Sequence, residues 1–151
     1  MQVSARGDYA VRAAVALAAA HPATVSSQAL ADEQALPRKF LEAILGDLRR
    51  AGLVRSIRGA EGGYRLARPP AEIPVGAVLR AVDGPLAGVR GRRPEEIEYA
   101  GSAAHLSELW VAVRAAVRGV LDEVSLAQVA TGRLPARVRR LVTDPDAWQP
   151  R

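Results

Sequence analysis

Apolar residues recur at helical intervals along the first part of the chain, switch to strand-like runs, and then return to helical spacing, with glycine or proline at each change. The segment Tyr9 to Ala20 is Ala-rich and predicts a helix, alanine being the strongest helix former. It ends at His21-Pro22, because the residue before proline avoids the α region. Ser26 or Ser27 can cap a short helix holding Leu30, Ala35-Leu36-Pro37 marks a tight turn, and Pro37 opens the next helix. In that helix Phe40, Leu41, Ile44, Leu45 and Leu48 form one apolar stripe, and Gly52 is placed to end it. Arg38, Lys39, Glu42, Ala43, Gly46 and Arg49 are left on the other side. Two short helices joined by a brief turn, the second with a basic, small-residue outer face, are what a helix-turn-helix requires.

Leu53 to Ile57 then reads as a strand and Gly63 to Ala67 as its partner, with Arg58, Gly59, Ala60, Glu61 and Gly62 between them. A phosphate-cradling glycine loop leads from a strand into a helix and offers amides at the helix start. Here the glycines lead from strand to strand, with no GxGxxG and no Lys-Ser/Thr pair after them. They predict a hairpin tip, where residues such as Gly59 accept positive φ.

Beyond the joint at Pro69-Pro70, IPVGAVLRAVDG predicts a short helix from near Pro74 to Gly84, and residues 85–104 read as irregular. From Leu106 to Val124 the pattern predicts one long helix, with Leu106, Trp110, Val113, Val117, Val120 and Val124 in alternating steps of four and three. Such a 3.5-residue period over roughly 28 Å of helix suits a seam against a second long helix, best supplied by another copy of the chain. The same stripe could instead pack on the chain's own small domain. Ser125 and Gln128 have capping-box spacing for one further helical turn. The tail from Arg133, with three prolines and clustered arginines, reads as exposed and partly disordered.

At 151 residues the chain suits one domain, or one small domain with an appendage. Net charge is +5, and the excess lies in residues 1–70, which hold ten Arg or Lys against six Asp or Glu. That balance permits a polyanion partner without specifying one. There is no cysteine, which removes disulfides, thiolate-bound zinc and cysteine-ligated iron–sulfur chemistry together. The apolar stretch 9–20 is too short to span a bilayer, contains Arg12, and is followed by no signal-cleavage pattern. A cytoplasmic protein without membrane partners is the expectation. No GxSxG, paired-acid constellation or metal triad is present, so an enzyme is not expected. His105, with only Glu98 and Glu108 as scattered carboxylates nearby, makes a poor metal set, and no cofactor is expected. His21 suits the exposed carbonyls of a helix end.

SARGDYAVRA, the helix-turn-helix with FLEAIL, AGLVRSIRGAEGGYRLAR, IPVGAVLRAVDG and LSELWVAVRAAVRGVLDEVSLAQV together resemble the IscR/NsrR/CymR, or Rrf2, family of bacterial winged-helix regulators. The match runs from about Met1 to Ala130, and its most specific piece is AGLVxSxRGxxGGYxLAR. The resemblance implies a mainly α fold with a small β-hairpin wing: a winged helix-turn-helix over residues 1–70, a short helix and connecting loop over 71–104, a dimerisation helix over 105–130 and a C-terminal tail over 131–151. It also implies a homodimer, here read as a repressor, with the recognition helix in the major groove of double-stranded DNA and a wing arginine in the minor groove. By motif match those roles fall to Glu42 and Arg58.

Physically, Arg38, Lys39 and Arg49 can meet phosphates, and Glu42 can accept from a cytosine amine or pair with Arg38 or Lys39 one turn earlier. Arg58, next to Gly59, can enter a narrow minor groove or remain a solvated turn residue. Sensing members of the family hold an iron–sulfur cluster on three cysteines between the short and long helices. The corresponding segment here has none, which leaves another effector, a protein partner or no effector. A second reading is a protein-interaction or small-ligand-sensing module on the same scaffold, with Tyr99, Trp110 and Arg90 to Arg93 near any pocket.

Overall fold

The first helix, α1 (Ala5–Ala20), starts where Ser4 accepts a hydrogen bond from the Gly7 amide at 2.8 Å and ends at His21. In the computed structural model, which describes residues 2–150, its buried face is Ala10, Ala13, Ala14, Ala16 and Leu17. Small side chains on this face let other helices approach closely, and α1 becomes the central strut of the core. A Cβ added to Gly7 would lie 2.6 Å from the Asp83 carboxylate, and Ser4 donates to that same carboxylate, so the helix start is seated against the end of α4 (Val75–Asp83).

Ser26 caps α2 (Ser27–Gln34), and Ala35 takes the left-handed conformation that turns the chain into α3 (Arg38–Arg50). Leu41, Ile44, Leu45 and Leu48 of α3 are fully buried. Phe40, expected in that stripe, is instead 47% exposed and lies edge-on to Tyr9, ring centroids 5.9 Å apart. Its position one residue before Leu41 puts it about 100° round the helix from the stripe's centre, at the margin of the buried face.

Strands β1 (Val54–Ile57) and β2 (Gly63–Leu66) pair antiparallel with Val54 opposite Leu66 and Arg55 opposite Arg65. Val54 and Leu66 are buried, so Arg55 and Arg65 share the outer face. The free edge of β2 is tied down close to the turn by a two-way backbone exchange between Val25 and Tyr64, 2.8 Å in each direction. Gly63, at φ +150°, allows that approach: a Cβ there would lie 2.3 Å from the Val25 carbonyl oxygen.

Helix α4 buries Val75, Val78 and Leu79 against the same core and ends at Gly84. Residues 85–105 carry only two short 3-10 turns, Pro94–Glu96 and Gly101–Ala103. Helix α5 spans Leu106–Leu121, shorter than the expected Leu106 to Val124. Val124 does not continue the stripe. It turns into the chain's own core, 5% exposed, with its carbonyl accepting from Val75 while Leu126 donates to Ile73, both at 2.9 Å. The Ser125–Gln128 capping box forms and starts α6 (Leu126–Thr131). The tail is more ordered than its composition suggested: α7 (Ala136–Thr143) docks Val138 into the core, and Pro145–Trp148 forms a further 3-10 turn. Among the described residues no helix is long and apolar enough to cross a membrane.

Candidate nucleic-acid interface

The outer face of α3 and the hairpin stand side by side because Leu53 and Val54 leave the end of α3 and enter the core at once, the Leu53 amide donating to the Leu48 carbonyl at 2.9 Å. Between them lies an open groove of about 660 Å³ lined by Arg49, Arg55, Arg58 and Arg65 together with small residues such as Gly52 and Ser56. Arg58 is exposed at the tip, and Gly59 beside it has φ +114°, with nothing within 4 Å of where a Cβ would stand. The turn closes through the Gly62 amide donating to the Gly59 carbonyl at 2.9 Å.

The ion pairs sort the arginines into two classes. Arg6 and Arg50 hold Asp47, Arg12 holds Asp8 and Arg38 holds Glu42, all within the chain. Lys39, Arg49, Arg55, Arg58, Arg65 and Arg68 have no acidic partner among the described residues. These six lie on α3 and on or just after the hairpin, whereas the arginines of α1 are neutralised. The other arginines without an acidic partner among the described residues, Arg90, Arg92, Arg93, Arg133, Arg139 and Arg140, do not line this groove. Arg55 and Arg65 are directly opposed across the strand pair, an arrangement that is unfavourable by itself. A polyanion laid along this face relieves it.

Of the expected site residues, Arg49 and Arg58 therefore meet at one groove, and Gly59 lies beside it in the turn. Arg38, Lys39 and Glu42 sit at the opposite end of α3, seven or more residues from Arg49, which is about 10 Å or more along the axis. Glu42 accepts from Arg38 Nε at 3.0 Å and from the Ser27 hydroxyl at 3.4 Å, and Arg38 also donates to Gln28 at 3.2 Å. The i, i+4 pairing open to Glu42 from the sequence is thus formed. Arg6, Arg12, Arg50, Arg55 and Arg65 are all open as DNA-backbone contacts from the sequence, which does not single out Arg68; the strand register, which puts Arg55 and Arg65 on one face, separates these two from the rest.

The expected seam residues behave differently from one another. Leu106, Trp110, Val113, Val117 and Val120 are half-buried, partly covered where the segment containing buried Pro94 and Ile97 lies against α5. The Trp110 indole N–H is buried with no hydrogen-bond acceptor. No residue of α5 is fully buried, and its open apolar side chains are Leu109, 54% exposed, and Val111, 37%.

The residues of the 85–105 segment do not fit an iron–sulfur cluster. The chain has no cysteine, and among the described residues no three His, Cys, Asp or Glu side chains converge as metal ligands. Among the described residues the one ion-pair partner of His105 is Glu108, at 3.7 Å. The charged chemistry of the region is arginine–carboxylate: Arg114 reaches Glu95 at 2.5 Å, and its hydrogen bond holds the Glu95 carboxyl below the ordinary carboxylate range.

Comparison with known proteins shows the family. The Rrf2 family model, described as an iron-dependent transcriptional regulator, matches residues 3–132. A Mycobacterium tuberculosis (strain H37Rv) protein with the provisional name HTH-type transcriptional regulator Rv1287 is 49% identical over 145 residues, covering 95% of this chain and 90% of that one. The HTH-type transcriptional regulator CymR of Bacillus subtilis is 36% identical over 132 residues, 87% of this chain and 91% of that one. The solved structure of B. subtilis CymR, titled the global cysteine regulator, superposes with a TM-score of 0.75 at 34% identity, over 87% of this chain and 98% of that one. The chain belongs to the Rrf2 family, whose members are DNA-binding transcriptional regulators and not enzymes.

Proposed function

We propose that the protein is a cytoplasmic, homodimeric repressor in which α3 enters the major groove and Arg58 the adjacent minor groove of a two-fold symmetric operator. The observation that carries this reading is the convergence of Arg49, Arg55, Arg58 and Arg65, none with an acidic partner among the described residues, on one groove between α3 and the hairpin. Arg49 and Lys39 then meet phosphates and fix register, while Ala43 and Gly46 keep the outer face of α3 low enough for close approach. Glu42 reads a base edge by accepting from a cytosine amine, and Arg38 orients it. Gly59 gives the tip the backbone conformation that projects Arg58.

The dimer is supported by α5, a sixteen-residue helix without a fully buried residue and with Leu109 and Val111 open to solvent. In this reading residues 1–70 bind DNA, 71–104 connect, 105–130 supply the dimer contact through Leu109 and Val111 with the half-buried Leu106, Trp110, Val113, Val117 and Val120 beside them, and 131–151 form a C-terminal tail in which Arg137 pairs with Glu123 just beyond α5. The absence of cysteine excludes sensing through a cysteine-ligated cluster and leaves another effector, a protein partner or no effector.

A gel-shift titration on the promoter of the protein's own gene tests the DNA reading. Neutralising on the order of 6 to 10 phosphates per dimer lowers affinity roughly 10³- to 10⁵-fold between low and moderate salt. Absence of any specific, salt-sensitive complex refutes the proposal.

A further inference from the structure

Behind the DNA-facing surface, a cavity of about 320 Å³ opens between α4 and α5. Four guanidinium groups face it, from Arg80 on α4, Arg93 on the connecting segment, and Arg114 and Arg118 on α5, against two carboxylates, Glu95 and Asp122. The carboxylates are already shared out. Asp122 takes Arg80 at 2.8 Å and Arg118 at 3.3 Å, and Glu95 takes Arg114 at 2.5 Å. Arg93 has no side-chain acid of its own among the described residues. Two positive charges are therefore left over inside one concavity, and the Arg114 side chain is only 19% exposed.

The cavity has the features of a built site. Leu86 supplies an apolar wall, and the volume lies at the small end of the range for small-molecule pockets. Gly76 keeps α4 bare at this point: a Cβ there would lie 2.2 Å from Asp122 Oδ1 and 3.2 Å from the Arg80 guanidinium. The cationic groups form two centres and not one, Arg80 with Arg118 about Asp122, and Arg93 with Arg114 about Glu95. Guanidinium forks match carboxylates in a bidentate, planar manner.

We propose that this pocket binds a small organic dicarboxylate, one carboxylate at each arginine pair, bridging the α4 end of the DNA-facing unit to α5. A single-centred phosphate satisfies only one pair, and a monocarboxylate leaves one surplus charge unanswered. The site lies away from the groove between α3 and the hairpin and goes beyond the DNA-binding reading.

Isothermal titration of the full chain at fixed ionic strength tests it, with succinate as the probe and inorganic phosphate, propionate and sodium chloride as comparisons. Saturable binding of one succinate per chain is expected, with phosphate and propionate at least about tenfold weaker, the loss that follows from one missing charged contact. Arg93→Gln and Arg118→Gln each weaken succinate at least about tenfold by the same reasoning. Arg92→Gln, whose side chain donates to the Glu96 carbonyl outside the pocket, leaves it unchanged. Both arginines are exposed, so these variants fold. Succinate binding no tighter than phosphate, or undiminished in both pocket variants, overturns the proposal. No DNA is present in the titration, so either result leaves the DNA reading standing.

Discussion

At the level of single residues, the protein distinguishes cations that hold the fold from cations that remain available. Arg6, Arg12, Arg38 and Arg50 are engaged by carboxylates, whereas Arg58 stands free at the end of the hairpin. Replacing Arg58 by alanine removes no internal contact, so the thermal midpoint stays constant while DNA affinity falls about tenfold. The loss is greatest on operators with A·T-rich flanks, where the narrow groove concentrates negative potential. Equal loss on all sequences, measured by competition gel shift, sinks the minor-groove role. Glu95 gives a prediction in pH. Its carboxyl is held below the ordinary range by Arg114, so its contribution to stability is present above the unfolded carboxylate value and is lost as pH falls through the lower folded one. Thermal midpoints of wild type and Glu95→Gln should differ at neutral pH and converge in acid.

Among elements, α3 is the most legible in the sequence, since four of the five apolar residues in its predicted stripe become buried. The hairpin is equally readable, because glycine on both sides of the turn has few other uses between two strand-like runs. Elsewhere periodicity misleads for physical reasons. Val124 falls on the 3.5-residue step of α5, yet the chain breaks at Asp122 and Val124 pairs its backbone with Val75; a non-local hydrogen bond of this kind leaves no periodic trace. Phe40 belongs to the core by its apolarity and instead covers Tyr9 from outside. In the tail, prolines that suggest disorder open helical turns at Pro135 and Pro145. Gly46 separates stability from function on α3. Its backbone is helical and an added Cβ meets nothing nearer than an Arg50 nitrogen at 3.6 Å, so Gly46→Ala stabilises the fold by about 0.5–1 kcal/mol. If α3 lies in the major groove, the same substitution weakens DNA binding. A variant that is both more stable and a tighter binder argues against that placement.

For the molecule as a whole, the open side of α5 carries the proposed dimer. Leu109→Glu changes a side chain that is already exposed in the single chain, so folding is retained while the charge is placed in the contact between copies. Sedimentation should then find a folded monomer that no longer binds its operator, and persistence of a dimer moves the interface elsewhere. The return of the chain after α5 has a mechanical consequence. With Val124 and Leu126 hydrogen-bonded to the segment that begins α4, and Val138 seated nearby, the long helix is buckled to the core at its far end instead of trailing away on a hinge. In the proposed dimer, two such subunits joined along α5 would act as a caliper of fixed opening, unable to stretch or swivel to suit the duplex. An operator lengthened by one base pair at its centre turns one half-site by roughly 35° relative to the other, and a rigid caliper grips only one of them.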